Sequence, residues 1–108
     1  MGLRENLELM LQRGQDSPLL RFSLGNECLK AGDLVAAVEH LRRALEANPA
    51  YSAAWKALGQ AHARAGNAAR AAEVYEQGIQ AAEANGDLQA AREMRVFLNR
   101  VRKAPTHD

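Results

Sequence analysis

Shifted by 34 residues, the chain falls into register with itself. Leu24-Gly25 lands on Leu58-Gly59, and Ala31-Gly32-Asp33 lands on Ala65-Gly66-Asn67. Ala37 meets Ala71, Glu39 meets Glu73, Leu41 meets Tyr75 and Leu45 meets Ile79. A repeat of this length is one supersecondary unit that cannot bury its apolar face alone, so copies must stack side by side. With 108 residues there is room for one such stack and no second domain.

The repeating unit is helical. Much of the 47% hydrophobic fraction is alanine, the strongest helix former, and β-branched residues are scarce. Breakers cut the chain into helix-length pieces at Gly14-Gln15-Asp16-Ser17-Pro18, Ala31-Gly32-Asp33, Asn48-Pro49, Ala65-Gly66-Asn67 and Asn85-Gly86-Asp87. Six helices are predicted, over residues 3–13, 18–30, 34–47, 52–64, 68–84 and 88–103. Ser17 is placed to cap the second helix with Pro18 at its first position, and Asp33 to cap the third behind a helix-closing Gly32. Residues 104–108 are expected to be a disordered tail.

At these residues the chain resembles the tetratricopeptide repeat family, in a small bacterial-type form with two complete repeats and flanking helices. The second copy carries Trp55, Leu58-Gly59, His62, Ala71, Tyr75, Gly78 and Ile79; the first carries Leu24-Gly25, Cys28, Ala37, Leu41, Ala44, Leu45 and Pro49. Arg21, His62 and Glu83 depart from the family pattern. Glu83 replaces the closing proline, so the fifth helix should run about one turn longer. The resemblance implies an all-α fold, an α-α superhelix of antiparallel helix pairs wound as a right-handed solenoid. The expected organisation is a single domain over 1–103: a half-repeat helix at 3–13, repeats at 18–51 and 52–85, and a capping helix at 88–103. Leu3, Leu7, Met10 and Leu11 lie 34 residues before Ala37, Leu41, Ala44 and Leu45, which makes the first helix the second half of an incomplete repeat.

Catalytic patterns are missing from the sequence. His40, His62 and His107 sit in no metal-ligand spacing, and the glycines never cluster into a phosphate-cradling loop. Cys28 and His62 occupy equivalent packing positions, so each reads as a core residue rather than a nucleophile or base. The expectation is a non-enzyme without cofactor or metal. A formal net charge of +1 gives no global pull toward nucleic acid or membrane. One cysteine, no leader-like N-terminus and no apolar run of about 18 residues point to a cytoplasmic protein.

The family resemblance also implies a binding surface, because the first helix of each pair lines a concave groove. The matching positions are Leu19, Phe22, Asn26, Leu29 and Lys30 in the first copy, and Ala53, Lys56, Gln60, Ala63 and Arg64 in the second. They describe an apolar end, a polar centre and three cations. The expected partner is a protein or peptide segment with an acidic group beside an apolar anchor. A carboxylate clamp of the chaperone-binding kind is incomplete, since Phe22 and Ala57 stand where a lysine and an asparagine belong. On the last helix Leu88, Ala91, Met94, Leu98 and Val101 form an apolar arc widened by Phe97. Met94, Phe97 and Val101 are therefore candidates for a groove-end or homodimer contact, with the chain a monomer or weak homodimer. The alternative functions are a structural subunit that self-associates through this helix and a nucleic-acid accessory protein that uses its basic residues Arg92, Arg95, Arg100, Arg102 and Lys103; the lack of interleaved aromatics weighs against the second.

Overall fold

A computed structural model describes residues 2–103 of the chain. Within them lie six helices: α1 (Leu3–Gln12), α2 (Pro18–Lys30), α3 (Leu34–Ala47), α4 (Ser52–Arg64), α5 (Ala68–Ala84) and α6 (Leu88–Lys103). The expected tail lies outside the described residues.

The turns follow from the breakers. After α2, the Gly32 amide donates to the Leu29 carbonyl at 3.1 Å and the Asp33 amide to the Cys28 carbonyl at 2.9 Å. This reciprocal closure needs a residue with positive φ at its centre, and Gly32 supplies φ 79° where a Cβ would be strained. The next turn repeats it: Gly66 has φ 80° and the Asn67 amide reaches the His62 carbonyl at 2.9 Å. Asp33 then accepts from the Ala36 amide at 3.3 Å and starts α3, as Ser17 does for α2 through the Leu20 amide at 3.1 Å. Such caps are each worth about 1 kcal/mol.

Stacking sets the rest. α2 packs on α3, α4 on α5 and α5 on α6, and the α2, α4 and α6 helices form one continuous row. The pairs cross closely because glycine permits it. A Cβ on Gly25 would lie 2.6 Å from Leu41 Cγ, and one on Gly59 would lie 2.3 Å from the Tyr75 ring. Gly78 is confined in the same way between Met94 and Trp55. Leu41, Ala37, Ala44 and Ala71 are completely buried around these crossings.

The fifth helix has 17 residues against 14 in α3, so it is longer by three, as the loss of proline at Glu83 predicts. The extra residues move α6 out of the 34-residue register. Ala54, Ala57 and Ala61 of α4 correspond instead to Ala91, Met94 and Leu98, each 37 residues on. In this register α6 occupies the place of a first helix in a third pair. Its outward positions, Arg95, Val96 and Asn99, stand where α4 has Leu58, Gly59 and His62. A helix crossing there would meet Val96 where α4 offers a glycine, and would desolvate Arg95.

Candidate functional site

α2, α4 and α6 lie side by side and present one face away from α3 and α5. The N-terminal halves of α2 and α4 meet through Phe22 and Tyr51, whose ring centroids are 5.1 Å apart. Their C-terminal ends meet where Arg64 Nη1 donates to the Leu29 carbonyl at 2.7 Å. These two contacts fix α2 and α4 as parallel. Lys56 Nζ donates to Glu93 Oε1 at 3.0 Å and ties α4 to α6 in the shifted register.

The groove residues expected from the sequence differ in exposure. Leu19 is exposed beside half-buried Phe22; Asn26, Ala53, Lys56, Gln60 and Ala63 are half-buried, and Lys30 and Arg64 are exposed. Leu29 is a correction. Its side chain is 7% exposed and packs in the core with Cys28, so it offers the groove only a carbonyl, and Arg64 occupies that. Of a third column from α6 the sequence reading named only Phe97 and Val101, as groove-end or homodimer contacts. Following the 37-residue register, Ala90, Glu93, Phe97, Arg100 and Val101 extend the α4 positions Ala53, Lys56, Gln60, Ala63 and Arg64. A search for repeats at a variable spacing would have found them.

This third column changes the electrostatics. Lys56 is not a free cation, because Glu93 pairs with it across the groove. Lys30 lies 3.2 Å from Glu27 with most of its side chain in water. Arg100 stands over the Phe97 ring, 5.7 Å from its centroid. Positive charge thus gathers at the C-terminal end of the row, at Arg64 and Arg100 beside the Lys30–Glu27 pair, while the centre is polar and locally neutral.

The candidate contacts on α6 divide. Met94 is a second correction: it is fully buried, its sulfur pressed toward Gly78, and it is a core residue rather than an intersubunit contact. Phe97 leans on Tyr75 with centroids 5.8 Å apart, and Val101 joins the same cluster from the groove side. Two of the arginines are tied to α5, Arg95 to Glu83 and Arg102 to Glu76. The basic character of α6 is in part intramolecular pairing.

On the opposite side of α4 a cavity of about 370 Å³ opens between α3 and α5, floored by Leu45, Leu58, Trp55 and His62. The Trp55 indole nitrogen donates to the Pro49 carbonyl at 2.7 Å. The gap's counterpart one repeat earlier holds Arg21, which forks onto Asp16 at 2.9 and 3.0 Å and donates to His40 Nδ1 at 3.2 Å. Burial holds both histidines below the ordinary imidazole range, aided by Arg21 at His40 and Arg70 at His62. Burial also raises the Cys28 thiol and pushes the Tyr75 phenol to about 12. Each of these shifts suits an inert packing group. Among the described residues no cluster of His, Cys, Asp and Glu could hold a metal ion. No helix among them is long and apolar enough to cross a membrane.

Comparison with known proteins agrees with this geometry. Residues 22–85 match the family model described as tetratricopeptide repeat. A TPR repeat-containing protein of Pseudomonas aeruginosa is 50% identical over 102 residues, covering 94% of this chain and 97% of its own length. The solution structure of a Bordetella parapertussis protein superposes with a TM-score of 0.85 at 42% identity, over 95% of this chain and 90% of that one. A tetratricopeptide repeat domain protein of Salinibacter ruber shares the fold, with a TM-score of 0.78 at 24% identity over 86% and 94% of the two chains. Helix order, glycine crossings, family model and relatives agree: the chain belongs to the tetratricopeptide repeat family.

Proposed function

We propose that the shared face of α2, α4 and α6 forms a concave groove that binds a segment of a partner protein, making the chain a non-catalytic adaptor or scaffold unit. Tetratricopeptide repeat domains are in general protein–protein interaction modules, and members of the family are typically non-enzymatic scaffolds. The observation that carries the reading here is the ordered polarity of the face. Leu19 and Phe22 lie at one end, Asn26, Gln60 and the Lys56–Glu93 pair in the middle, and Lys30, Arg64 and Arg100 at the other. A segment with an apolar anchor and, further along, a carboxylate would match both ends. Repeats 18–51 and 52–85 and the capping helix act as one unit within 1–103 in this reading, as a cytoplasmic monomer or weak homodimer.

The short groove limits affinity to about the micromolar range. Peptides of that pattern can be titrated by fluorescence anisotropy. Arg64→Glu with Arg100→Glu should weaken an acidic peptide about tenfold or more, and added salt should do the same. Lys56→Met should change affinity by less than about threefold, because Glu93 already neutralises Lys56. Equal affinity for acidic and neutralised peptides, unaffected by salt, would refute the acidic preference. Amide shifts that leave Asn26 and Gln60 unmoved would refute the groove itself.

A further inference from the structure

Among the described residues the stack is open at α1. We infer that the open end is a docking seat for an amphipathic helix from another protein, one with an uncharged apolar stripe and a glycine where it crosses Leu7. The internal repeat shows what belongs there. On α3, Leu41 is fully buried beneath Gly25, and α2 lies across it while also touching α4. On α1, 34 residues earlier, Leu7 stands in Leu41's place, but among the described residues α1 packs on α2 alone and has no buried residue. Among the described residues, therefore, none takes on α1 and α2 the position that α2 takes on α3 and α4. Leu3 is 57% exposed and Met10 41%, although their counterparts Ala37 and Ala44 are completely buried. Leu19 on α2 is 66% exposed at the same end.

A cavity of about 430 Å³ spans the two helices, lined by Leu7, Met10, Leu19, Leu20 and Ser23 with the Gln15–Ser17 turn. Its one charged residue, Asp16, is held by Arg21. An entering helix must then present an uncharged stripe, since a buried charge would find no partner. It must also be small where it meets Leu7. A leucine branched like Leu41 already lies within 2.6 Å of where a Cβ on Gly25 would be, so the seat repeats a crossing built for glycine. The chain's own closing helix cannot serve from a second copy, because α6 carries Arg95 and Val96 in place of the Leu-Gly of α2 and α4. Head-to-tail stacking is thereby blocked, and the acceptor end remains for a foreign helix.

The internal template supplies the probe. A helix-stabilised peptide copying residues 17–30 with Arg21→Leu, which removes the charge that faces α3 in the template, can be titrated into the full chain and followed by amide chemical shifts. Perturbations should centre on α1 and Leu19–Ser23, weaken at least tenfold when the peptide's glycine is replaced by leucine, and vanish with Met10→Asp in the chain. Met10 is exposed, so that substitution leaves the fold intact; unchanged shifts elsewhere would verify it. Shifts centred on Asn26, Gln60 and Phe97 would overturn the seat while leaving the groove reading standing. Absence of shifts at millimolar peptide, or equal binding of the leucine peptide, would also overturn it. So would the same α1 shifts on concentrating the chain alone, which would make the occupant a second copy.

Discussion

At Gly59 a methyl group would enter the space of the Tyr75 ring, 2.3 Å from its nearest carbon. Alanine in a helix interior is worth about 1 kcal/mol over glycine. Overpacking a filled crossing costs about 1–3 kcal/mol, and a buried ring cannot bend aside. Gly59→Ala should therefore lower stability by about 1–2 kcal/mol, read as a lower urea midpoint at unchanged slope. Gly25→Ala meets a leucine with two side-chain torsions instead, so its loss should be smaller. Equal effects would mean that ring rigidity is not the deciding factor. The histidines give a second outcome at this scale. His40 and His62 are held below their ordinary range in the folded chain, so the unfolded chain takes up protons first as pH falls through about 6.5. Their contribution to stability is full above that value and is lost below it. The urea midpoint should fall between pH 7.5 and 5.5, and the double variant His40→Gln, His62→Gln should flatten the decline. A wild-type midpoint independent of pH over that interval would contradict the sign.

Helices differ in how firmly the stack holds them. α4 is enclosed by α2, α3, α5 and α6, whereas α1 rests on α2 and is tied elsewhere by Arg4, which donates to Asp33 at 2.9 Å. That pair is exposed and contributes little. Amides of Leu7–Gln12 should exchange orders of magnitude faster than those of Leu58–Ala61, as local opening of α1 exposes few buried contacts. Comparable protection in native-state exchange would show that α1 opens only with the whole molecule. The same inequality explains what could be read beforehand. Breakers and caps are local, so the helix limits of α2 to α6 followed from residues such as Gly32, Asp33 and Gly66. The positions on α2 and α4 proposed to line a groove rest on family spacing. The α6 column does not, because three extra residues at the end of α5 displace it from the 34-residue register, and Glu93 therefore went unnoticed as the partner of Lys56. Met94 was misplaced for a related reason: an amphipathic arc shows which residues are apolar, but not which side of it a neighbour covers.

For the whole molecule, the two ends make opposite contributions. A stack of nearest-neighbour units has a stability close to the sum of its interfaces, so the loss on truncation depends on the interface removed. Removing α6 uncovers Tyr75, Ala71, Ile79 and Ala82 on α5 and deletes the fully buried Ala91 and Met94. Burial of one large apolar side chain is worth about 1.5–3 kcal/mol. Several such losses equal most of the total stability of about 5–15 kcal/mol expected for a small domain. A chain ending at Asp87 should therefore lose cooperative unfolding and expose apolar surface to a hydrophobic dye. Starting at Gln15 instead removes only half-buried contacts such as Leu7 and Leu11. That shorter chain should keep a sigmoidal thermal transition, moved down by several degrees. If the two truncations behaved alike in circular-dichroism melts, stability would not be distributed interface by interface, and the contrast between the two ends would lose its energetic basis.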